Sequence, residues 1–446
     1  MTAVKQYLQL YDQHREMLDK HSCAPMNARR AHAAAWLEEH GLPDTRTEQY
    51  KYTDANAAFA PDYGLNLRRV LPAKNPYETF RCHVPNLSTL VYYVVNDVVC
   101  PPSATLRLPD GVRVLPLCEM VRENADFIDE YYHRAAAQST DGVTALNTLL
   151  AQDGWVVHVS KGVHLDSPIQ IVSVMEGRAD LMANRRILVV AEPESDATVL
   201  FCHHVSGTCR YLTTEVVEAY VHPGAKLRLY GVEETGAGSQ HFCQTYAEVM
   251  QGARLETGNI HLHGEMVRHT SHIRLLQPEA DARMLAAVVA GDGEHVDHHV
   301  LVEHAAEQCT SDMLHKYVLT GKSVSAFAGK VLVQKGAQHT VSQQTNANLC
   351  ASPEARAYSQ PMLEIYADDV KCNHGSTTGK LDETALFYMR QRGIAEDEAR
   401  LLLQHAFVND VLQRIELTPL RERLAHLVEL RFRGELGKCR GCMLCK

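Results

Sequence analysis

A cysteine and a histidine near the end of the chain are spaced so that they could act together. Cys372 and His374 are separated by one residue in the run DDVKCNHG. On a β-strand, residues i and i+2 project from the same face, and a thiolate beside an imidazole suits iron or zinc. A neighbouring imidazolium would also lower the pKa of the thiol. Two ligands do not close a metal site, so a second chain would have to complete it. Spacing alone favours the alternative, a buried cysteine beside a hydrogen-bonded histidine.

Three further cysteines stand close together at the end of the sequence. In KCRGCMLCK, the residues Cys439, Cys442 and Cys445 have C-x2-C-x2-C spacing. That spacing is the opening of a ferredoxin-type cluster motif, but the fourth ligand is missing. A tail that delivers thiolates to a metal, a persulfide or a partner is one interpretation. An unstructured, redox-labile end is the other.

Histidines gather in two parts of the chain, which has 25 of them. The two groups are His261, His263, His269 and His272, and His295, His298, His299 and His304. Either group could bind a metal. Neither has a spacing that requires one, so we expect solvated or core histidines.

One segment has a superficial likeness to a phosphate-binding loop. The run from Gly375 to Lys380 has three residues between its glycines and a leucine after its lysine. A phosphate loop needs four residues between the glycines, and serine or threonine after the lysine. The run from Gly321 to Ser323 fails because Lys316 stands where the first glycine should be. We therefore expect no intrinsic ATPase activity.

The composition excludes several classes of protein. The 446-residue chain is 45% hydrophobic and 22% charged, which is ordinary for a folded protein, and it is longer than a single core usually fills. A net charge of −10 disfavours nucleic-acid binding. No apolar stretch has the character of a signal peptide or a membrane span. We therefore expect a cytoplasmic protein, and the 13 scattered cysteines do not indicate a disulfide framework.

A weak repeat between about residues 185 and 370 predicts the central architecture. Each copy is a tight turn, an alanine and alternating apolar residues. Four of these alanines, at intervals of 28, 28 and 29 residues, are Ala197, Ala225, Ala253 and Ala282, and a further copy begins near Ala337. Such alternation is typical of strands with one solvated face, and a repeat of this length indicates a solenoid. We predict a mainly β protein built on a β-helix; a β-sandwich is the alternative.

Helical patterns flank this β-rich region. The second helix is predicted to start after Asn27 and to end at Gly41. Near the end of the chain, Asp382 is the predicted N-cap of a helix that stops at Gly393, and Thr418 followed by proline opens another. The predicted division is an N-terminal helical region (1–75), a β-helix core (76–378), a C-terminal helical domain (379–436) and a cysteine-rich tail (437–446).

One long segment resembles the C-terminal signature of the SufD family. It is PMLEIYADDVKCNHGSTTGKLDETALFYMRQRGI, residues 361–394. Two other segments resemble the same family: GLPDTRTEQYKYTD at 41–54, and ALNTLLAQDGWVVHVSKGVHLDSPIQI at 145–171. The resemblance extends from about residue 30 to about residue 430. The related SufB family has a different sequence around the corresponding cysteine.

The resemblance implies a fold and a function. It implies a right-handed parallel β-helix (a β-solenoid) flanked by N- and C-terminal helical domains. It also implies a non-catalytic scaffold for iron–sulfur cluster assembly, working with SufB-like and SufC-like (ATPase) partners, and a homodimer when alone. Cys372 and His374 would then be the functional pair at the SufB interface, where iron or a cluster is held transiently. The SufC-like ATPase would dock on the C-terminal helices through Leu402, Leu403, Phe407 and Val411.

Two other functions are compatible with parts of the sequence. A β-helix enzyme acting on carbohydrates would need paired carboxylates in a groove, and Asp368 with Asp369 is the one obvious adjacent pair. Adjacent strand residues point to opposite faces, which counts against it. A stand-alone metalloprotein would use the three cysteines of the tail instead.

Overall fold

The centre of the protein is a flattened coil of parallel strands. A computed structural model describes residues 3–80, 87–102 and 107–436. Its strands are β1 Gly64–Leu65, β2 Leu90–Val95, β3 Val98–Cys100, β4 Val112–Pro116, β5 Gly154–Val159, β6 Ile169–Glu176, β7 Leu181–Ala191, β8 Asp196–Ser206, β9 Tyr211–Val221, β10 Lys226–Glu234, β11 Ser239–Val249, β12 Arg254–His263, β13 Met266–Leu275, β14 Asp281–Ala290, β15 His295–His304, β16 Thr310–Leu319, β17 Val324–Val333, β18 Val341–Cys350, β19 Arg356–Ile365 and β20 Lys371–Gly379.

Ten helices accompany the strands in the described ranges. They are α1 Ala3–Lys20, α2 Ala24–His40, α3 Ala55–Ala58, α4 Pro76–Thr79, α5 Leu117–Glu123, α6 Ala125–Tyr131, α7 Gly142–Leu150, α8 Glu383–Gln391, α9 Glu396–Leu412 and α10 Thr418–Phe432. Short 3₁₀ helices cover Glu48–Tyr50 and Ala136–Gln138.

Successive strands alternate between two sheets. From β5 onward the odd-numbered strands form one sheet and the even-numbered strands form the other, and each strand pairs in parallel with the strand two places along the chain. This is a β-solenoid of about eight turns, so the prediction of a mainly β protein with a β-helix is confirmed. A β-sandwich of antiparallel strands is not what forms.

The sequence repeat is real, but its register differs from the predicted one. Ala197 pairs with Leu227, and Leu227 with Leu255, which in turn pairs with Ala282. Ala225 and Ala253 precede their strands and form a separate row. The turns between strands differ in length, so equal spacing in the sequence does not mean equal position in the coil. Ala225 and Ala253 therefore lie two residues before Leu227 and Leu255, which are in register with Ala197 and Ala282. The shift is even, and all four alanines therefore still face the core.

Alternate residues of each strand fill the space between the sheets. Val199, Leu229 and Met284 from the even-numbered sheet meet Val217 and Val300 from the odd-numbered sheet in one apolar cluster. Coils of this kind gain stability chiefly from the contacts of each turn with its neighbours. A terminal turn consequently lacks half of its contacts unless something covers it.

Helices cover the outer face of each sheet. The N-terminal helices and α7 pack on the odd-numbered sheet through residues such as Leu149 and Phe242, and α9 and α10 pack on the even-numbered sheet through Val408 and Leu424. Helices flank the coil at both ends of the sequence, as predicted. Four of them, α4 to α7, lie within the 76–378 range predicted as β-helix core.

Helix ends follow the capping signals, with small offsets. The Asp382 carboxylate accepts hydrogen bonds from the backbone N–H groups of Thr384 and Ala385, and Gly393 has a φ of 85° just beyond α8. The second helix starts at Ala24, earlier than the predicted start after Asn27, because Pro25 occupies its first turn.

The N-terminal segment 41–54 contacts the coil and so links the N-terminal helical region to it. The guanidinium of Arg268 lies 3.8 Å from the ring centroid of Tyr50, and Thr53 Oγ1 donates a 2.5 Å hydrogen bond to Asp297. Tyr52 stacks on Tyr358 of β19, with ring centroids 4.1 Å apart. The segment therefore reaches the last turn of the coil.

No helix within residues 3–80, 87–102 and 107–436 combines the length and hydropathy of a membrane-spanning segment.

Candidate functional site

The two ends of the coil are finished differently. At the start, β3 pairs antiparallel with β2 and β4 pairs antiparallel with β5. At the other end, β19 and β20 are the outermost strands of their sheets and, among the described residues, pair on one side only. Each presents a free backbone edge, which is a template for adding another strand. The free edges make this end of the coil a candidate interface.

Cys372 and His374 lie on β20 at this free end. Cys372 pairs in register with Ser342, and His374 with Gln344, and both partners are fully buried core positions. The cysteine and the histidine therefore continue two interior rows of the coil. Because no described turn follows β20, Cys372 is only half-buried and His374 is exposed. The groups that would face the core elsewhere are accessible here.

The chemistry of this pair differs from the expected activation of the thiol. Burial raises the pKa of Cys372, and a hydrogen bond from the backbone of Ser342 opposes that rise only partly. The expected lowering of the thiol pKa by a neighbouring imidazolium is therefore wrong for the chain by itself. Among the described residues, neither Cys372 nor His374 belongs to a group of three or more metal-binding side chains. Completion from a second chain stays a prediction.

Apolar side chains are exposed mainly near this end. Of the nine large hydrophobic residues that are exposed in the described parts of the chain, seven lie between residues 341 and 402. They are Val341, Tyr358, Ile365, Tyr366, Phe387, Tyr388 and Leu402. Exposed apolar clusters of this kind mark interaction surfaces.

The four predicted docking residues of α9 have different surroundings. Leu402 is 40% exposed, whereas Val411 has no exposed surface and packs in the cluster between α9, α10 and the even-numbered sheet. Leu403 and Phe407 pack against the same cluster and are half-buried. Leu402 is thus the residue of the four that is available to a partner, and Val411 holds the helix on the coil.

Several other expected features are placed by the structure, and one is not. Gly375 and Gly379 are strand residues of β20, whereas a phosphate loop joins a strand to a helix. Asp368 and Asp369 lie on an exposed bend. Cys439, Cys442 and Cys445 lie outside the described residues, so the tail hypothesis is not tested.

Four of the eight histidines in the two predicted groups are buried: His261, His269, His298 and His304. His269 and His298 are buried and stack with ring centroids 5.0 Å apart. His261 Nε2 lies 3.6 Å from Glu294, which also accepts a 2.7 Å hydrogen bond from Arg431 of α10. The expectation was solvated or core histidines, and the buried members of the two groups are core residues.

A second constellation, which the sequence analysis did not single out, lies inside the coil. It consists of the buried side chains His203, Glu215, Glu233, His241 and Cys243. Its one visible signal in the sequence is the i, i+2 spacing of His241 and Cys243. The other three residues join it only through strand register.

Burial and mutual charge set the ionisation inside this constellation. Burial lowers the pKa of His203 and raises that of Glu215. For His241, burial is the largest single effect and opposes protonation, but the charge and hydrogen bond of Glu233 together with the charge of Glu215 outweigh it and raise the pKa. Burial likewise opposes ionisation of Glu233, yet the charge and hydrogen bond of His241 hold the pKa of Glu233 below its ordinary value. His241 and Glu233 therefore form a buried ion pair.

Comparisons with known proteins match the N-terminal region and the coil. Residues 173–407 match the family described as SUF system FeS cluster assembly, SufBD core domain, and residues 1–171 match the SufBD protein N-terminal region. An iron–sulfur cluster assembly SufBD family protein of Synechocystis is 28% identical over 416 residues, 90% of each chain. The iron–sulfur cluster assembly protein SufD of Escherichia coli is 29% identical over 294 residues, 65% of this chain and 69% of SufD. A SufBD family protein of Mycobacterium leprae is 32% identical over 298 residues, 65% of this chain and 75% of that relative.

Proposed function

Because the chain belongs to the SufBD family of iron–sulfur cluster assembly proteins, with SufD among its relatives, we propose that it is a scaffold subunit without catalytic activity of its own. Its role in iron–sulfur cluster assembly follows from family membership. The proposal adds that it works in a complex with a SufB-like protein and a SufC-like ATPase. It also adds a right-handed coil, the usual sense of β crossovers, and a cytoplasmic location.

The free end of the coil is the observation that carries the proposal. Strands β19 and β20 have unpaired backbone edges, and Cys372 and His374 stand there in interior rows that nothing in the described chain covers. A SufB-like coil that added its own strands to these edges would continue both sheets. It would also enclose the cysteine and the histidine in a shared interior.

An enclosed interface would supply what Cys372 and His374 lack alone. Two side chains do not hold an iron ion or a cluster, but donors from a second chain would complete the coordination. Iron or a nascent cluster would be held there transiently, as the substrate of the assembly. Without a SufB-like partner, the same edges of two identical chains would pair as a homodimer.

The C-terminal helices are the proposed contact with the ATPase. Leu402 of α9 is exposed, and so are Phe387 and Tyr388 of α8. The opposite side of α9 is fixed to the even-numbered sheet through Val408 and Val411. Movement of an ATPase bound to these helices would therefore be transmitted directly to the coil.

The first experiment is anaerobic co-purification of the tagged chain with the SufB-like and SufC-like proteins of the same organism. Stable co-elution of the three proteins, with iron and sulfide incorporated on addition of ATP, is the expected result. Elution of the chain alone in the presence of both proteins would refute the complex. If it eluted alone with iron that depended on Cys439, Cys442 and Cys445, the stand-alone metalloprotein would replace the scaffold.

A further inference from the structure

The constellation inside the coil is assembled from four consecutive strands. His203 of β8 pairs in register with Glu233 of β10, and Glu215 of β9 pairs in register with Cys243 of β11. His241 precedes Cys243 by two residues and so projects from the same face of β11. The two sheets face each other across the core, so these side chains converge between them.

The donor atoms form two overlapping groups, which share His241: Glu215, His241 and Cys243 in one, and His203, Glu233 and His241 in the other. Side-chain movements would be needed to bring His203 and the first group around one ion. His203 Nε2 lies 3.7 Å from Glu215 Oε1, and Cys243 Sγ lies 3.9 Å from the same oxygen. Donor atoms of Glu215, His241 and Cys243 all lie within 4.8 Å of one another. Bonds of about 2.0 to 2.3 Å to a tetrahedral ion would place its donors about 3.3 to 3.8 Å apart.

Three buried atoms in this group have no hydrogen-bond partner within the described residues: Nδ1 of His203, Nε2 of His241 and Oε2 of Glu215. Because His203 is placed to bind through its other nitrogen, Nε2, the two that could bind the ion are those of His241 and Glu215. A carboxylate oxygen is an acceptor, and an imidazole nitrogen becomes one when it loses its proton. Buried polar atoms without a partner are costly, and a metal cation that displaced the proton of His241 would give both atoms one.

Glu233 already holds His241 in the orientation of a metal ligand. The two side chains are joined by a 2.8 Å hydrogen bond between His241 Nδ1 and Glu233 Oε2. Histidines that bind metals commonly donate their second N–H to a carboxylate, which fixes the tautomer and the direction of the ring. With Nδ1 engaged in this way, an ion would bind at Nε2 by displacing the proton that this nitrogen carries in the ion pair with Glu233.

The charges also favour a divalent ion. Arg185 pairs in register with Glu215 and is buried beside it. With the ion bound, His241 neutral and the Cys243 thiol and both carboxyls deprotonated, two carboxylates and a thiolate set against this guanidinium would leave two negative charges, which balance a divalent cation. A set of one sulfur, two imidazoles and one carboxylate suits zinc or ferrous iron better than magnesium or calcium.

We propose that His203, Glu215, His241 and Cys243 bind one divalent first-row transition-metal ion inside the coil, with Glu233 as a positioning residue. This site is distinct from Cys372 and His374 and needs no partner chain. Its ion is enclosed between β8 and β11, about five turns from the free end of the coil. The ion would cross-link consecutive turns of the coil and would stay bound in the folded protein.

The test measures metal binding by the full chain alone, so it is independent of the proposed complex. Serine replaces Cys372, Cys439, Cys442 and Cys445 to remove the other candidate thiolates. After anaerobic dialysis against Co(II), this background variant should retain one ion per chain and show thiolate-to-cobalt charge-transfer absorption. Retention of no ion, or of an ion without that absorption, would overturn the proposal.

Single substitutions in the background variant then identify the ligands. Cys243→Ser should abolish the charge-transfer absorption, and His241→Gln should weaken cobalt binding by at least about tenfold. Glu233→Gln should weaken binding while leaving the charge-transfer absorption in place, because it does not change the ligands. The matched controls are Cys309→Ser and His315→Gln, which alter equally buried residues elsewhere in the coil and should change neither property.

X-ray absorption keeps the proposal testable if these variants fail to fold. The zinc-loaded background variant should show one sulfur and three nitrogen or oxygen neighbours around the ion. A shell of nitrogen and oxygen alone, or one with several sulfurs, would contradict the proposed ligands. Equal loss of the ion in Cys243→Ser and Cys309→Ser would indicate that general destabilisation, not ligation, was responsible.

Discussion

Cys372 pairs in register with Ser342, and through it stands in the same interior row as Ser311 and Ala282. The residues of the row are buried at each of those earlier turns, and Cys372, the last of them, is half-buried. The position of Cys372 is thus a core position that became accessible because the described coil stops there. A second coil that continued the sheets would bury it again.

Substitution of Cys372 or His374 should reduce cluster formation but leave the protein complex intact. We expect Cys372→Ser and His374→Ala to reduce cluster formation by about tenfold or more, since each removes a metal donor. Cluster assembly is measured anaerobically by absorption and by iron and sulfide content, and the complex by size-exclusion chromatography. Cys350→Ser, which alters a half-buried cysteine of the neighbouring strand β18, is the control. Loss of the complex itself would show that the pair is structural.

A charge at the free end should prevent partner pairing. Ile365 is 38% exposed at the end of β19, and Ile365→Lys should weaken binding of the SufB-like protein by about tenfold or more, because the lysine would have to be desolvated in the interface. Surface plasmon resonance or co-elution checks this. Leu71→Lys changes a residue that is 71% exposed and remote in sequence from β19, and it should bind as the unmodified chain does. Equal weakening by both would argue against this interface.

The ATPase contact should depend on the exposed side of α9. Leu402→Glu should weaken co-purification of the SufC-like protein without changing the free energy of unfolding, because Leu402 is 40% exposed. Val70→Glu serves as the control, since Val70 is also exposed and apolar. Unchanged SufC binding in Leu402→Glu would move the proposed contact away from α9.

The buried side of α9 should behave as core. Leu412 has no exposed surface, so Leu412→Ala should lower the free energy of unfolding by about 2 to 5 kcal/mol through the cavity it leaves. Urea unfolding followed by circular dichroism measures this. A change below about 0.5 kcal/mol, which is usual for surface positions, would mean that the helix is not packed as described.

Acid should destabilise the protein through its buried histidines. Burial lowers the pKa of His304 from 6.5 to about 4, so the folded state resists a proton that the unfolded chain accepts. Above about pH 6.5 His304 is neutral in both states and does not affect the free energy of unfolding. As the pH falls from 6.5 toward 4, the unfolded chain binds the proton and the folded protein does not, so the free energy of unfolding falls by about 1.4 kcal/mol for each pH unit. His304→Gln should flatten the decline of the unfolding free energy over this range. His40→Gln, at an exposed position, should leave the decline unchanged. An equal slope in the unmodified chain, His304→Gln and His40→Gln would show that His304 does not cause the acid sensitivity.

The sequence by itself determined the kind of fold and the family. Period-2 alternation with a repeat of about 28 residues indicated a β-solenoid because strands that bury one side must alternate. Asp382, Gly393 and Thr418 marked helix ends to within a residue or two, because capping depends on local backbone geometry. The segment around Cys372 carried the family resemblance without any knowledge of its surroundings.

Tertiary structure alone decided which residues meet and which are accessible. His203, Glu215 and Glu233 join His241 and Cys243 through strand register, and register depends on turn lengths that a single sequence does not reveal. In the same way, Val411 and Leu402 look equivalent on the apolar stripe of α9, yet Val411 is buried against the sheet and Leu402 is exposed to solvent. Long-range packing makes that distinction, and no local pattern encodes it.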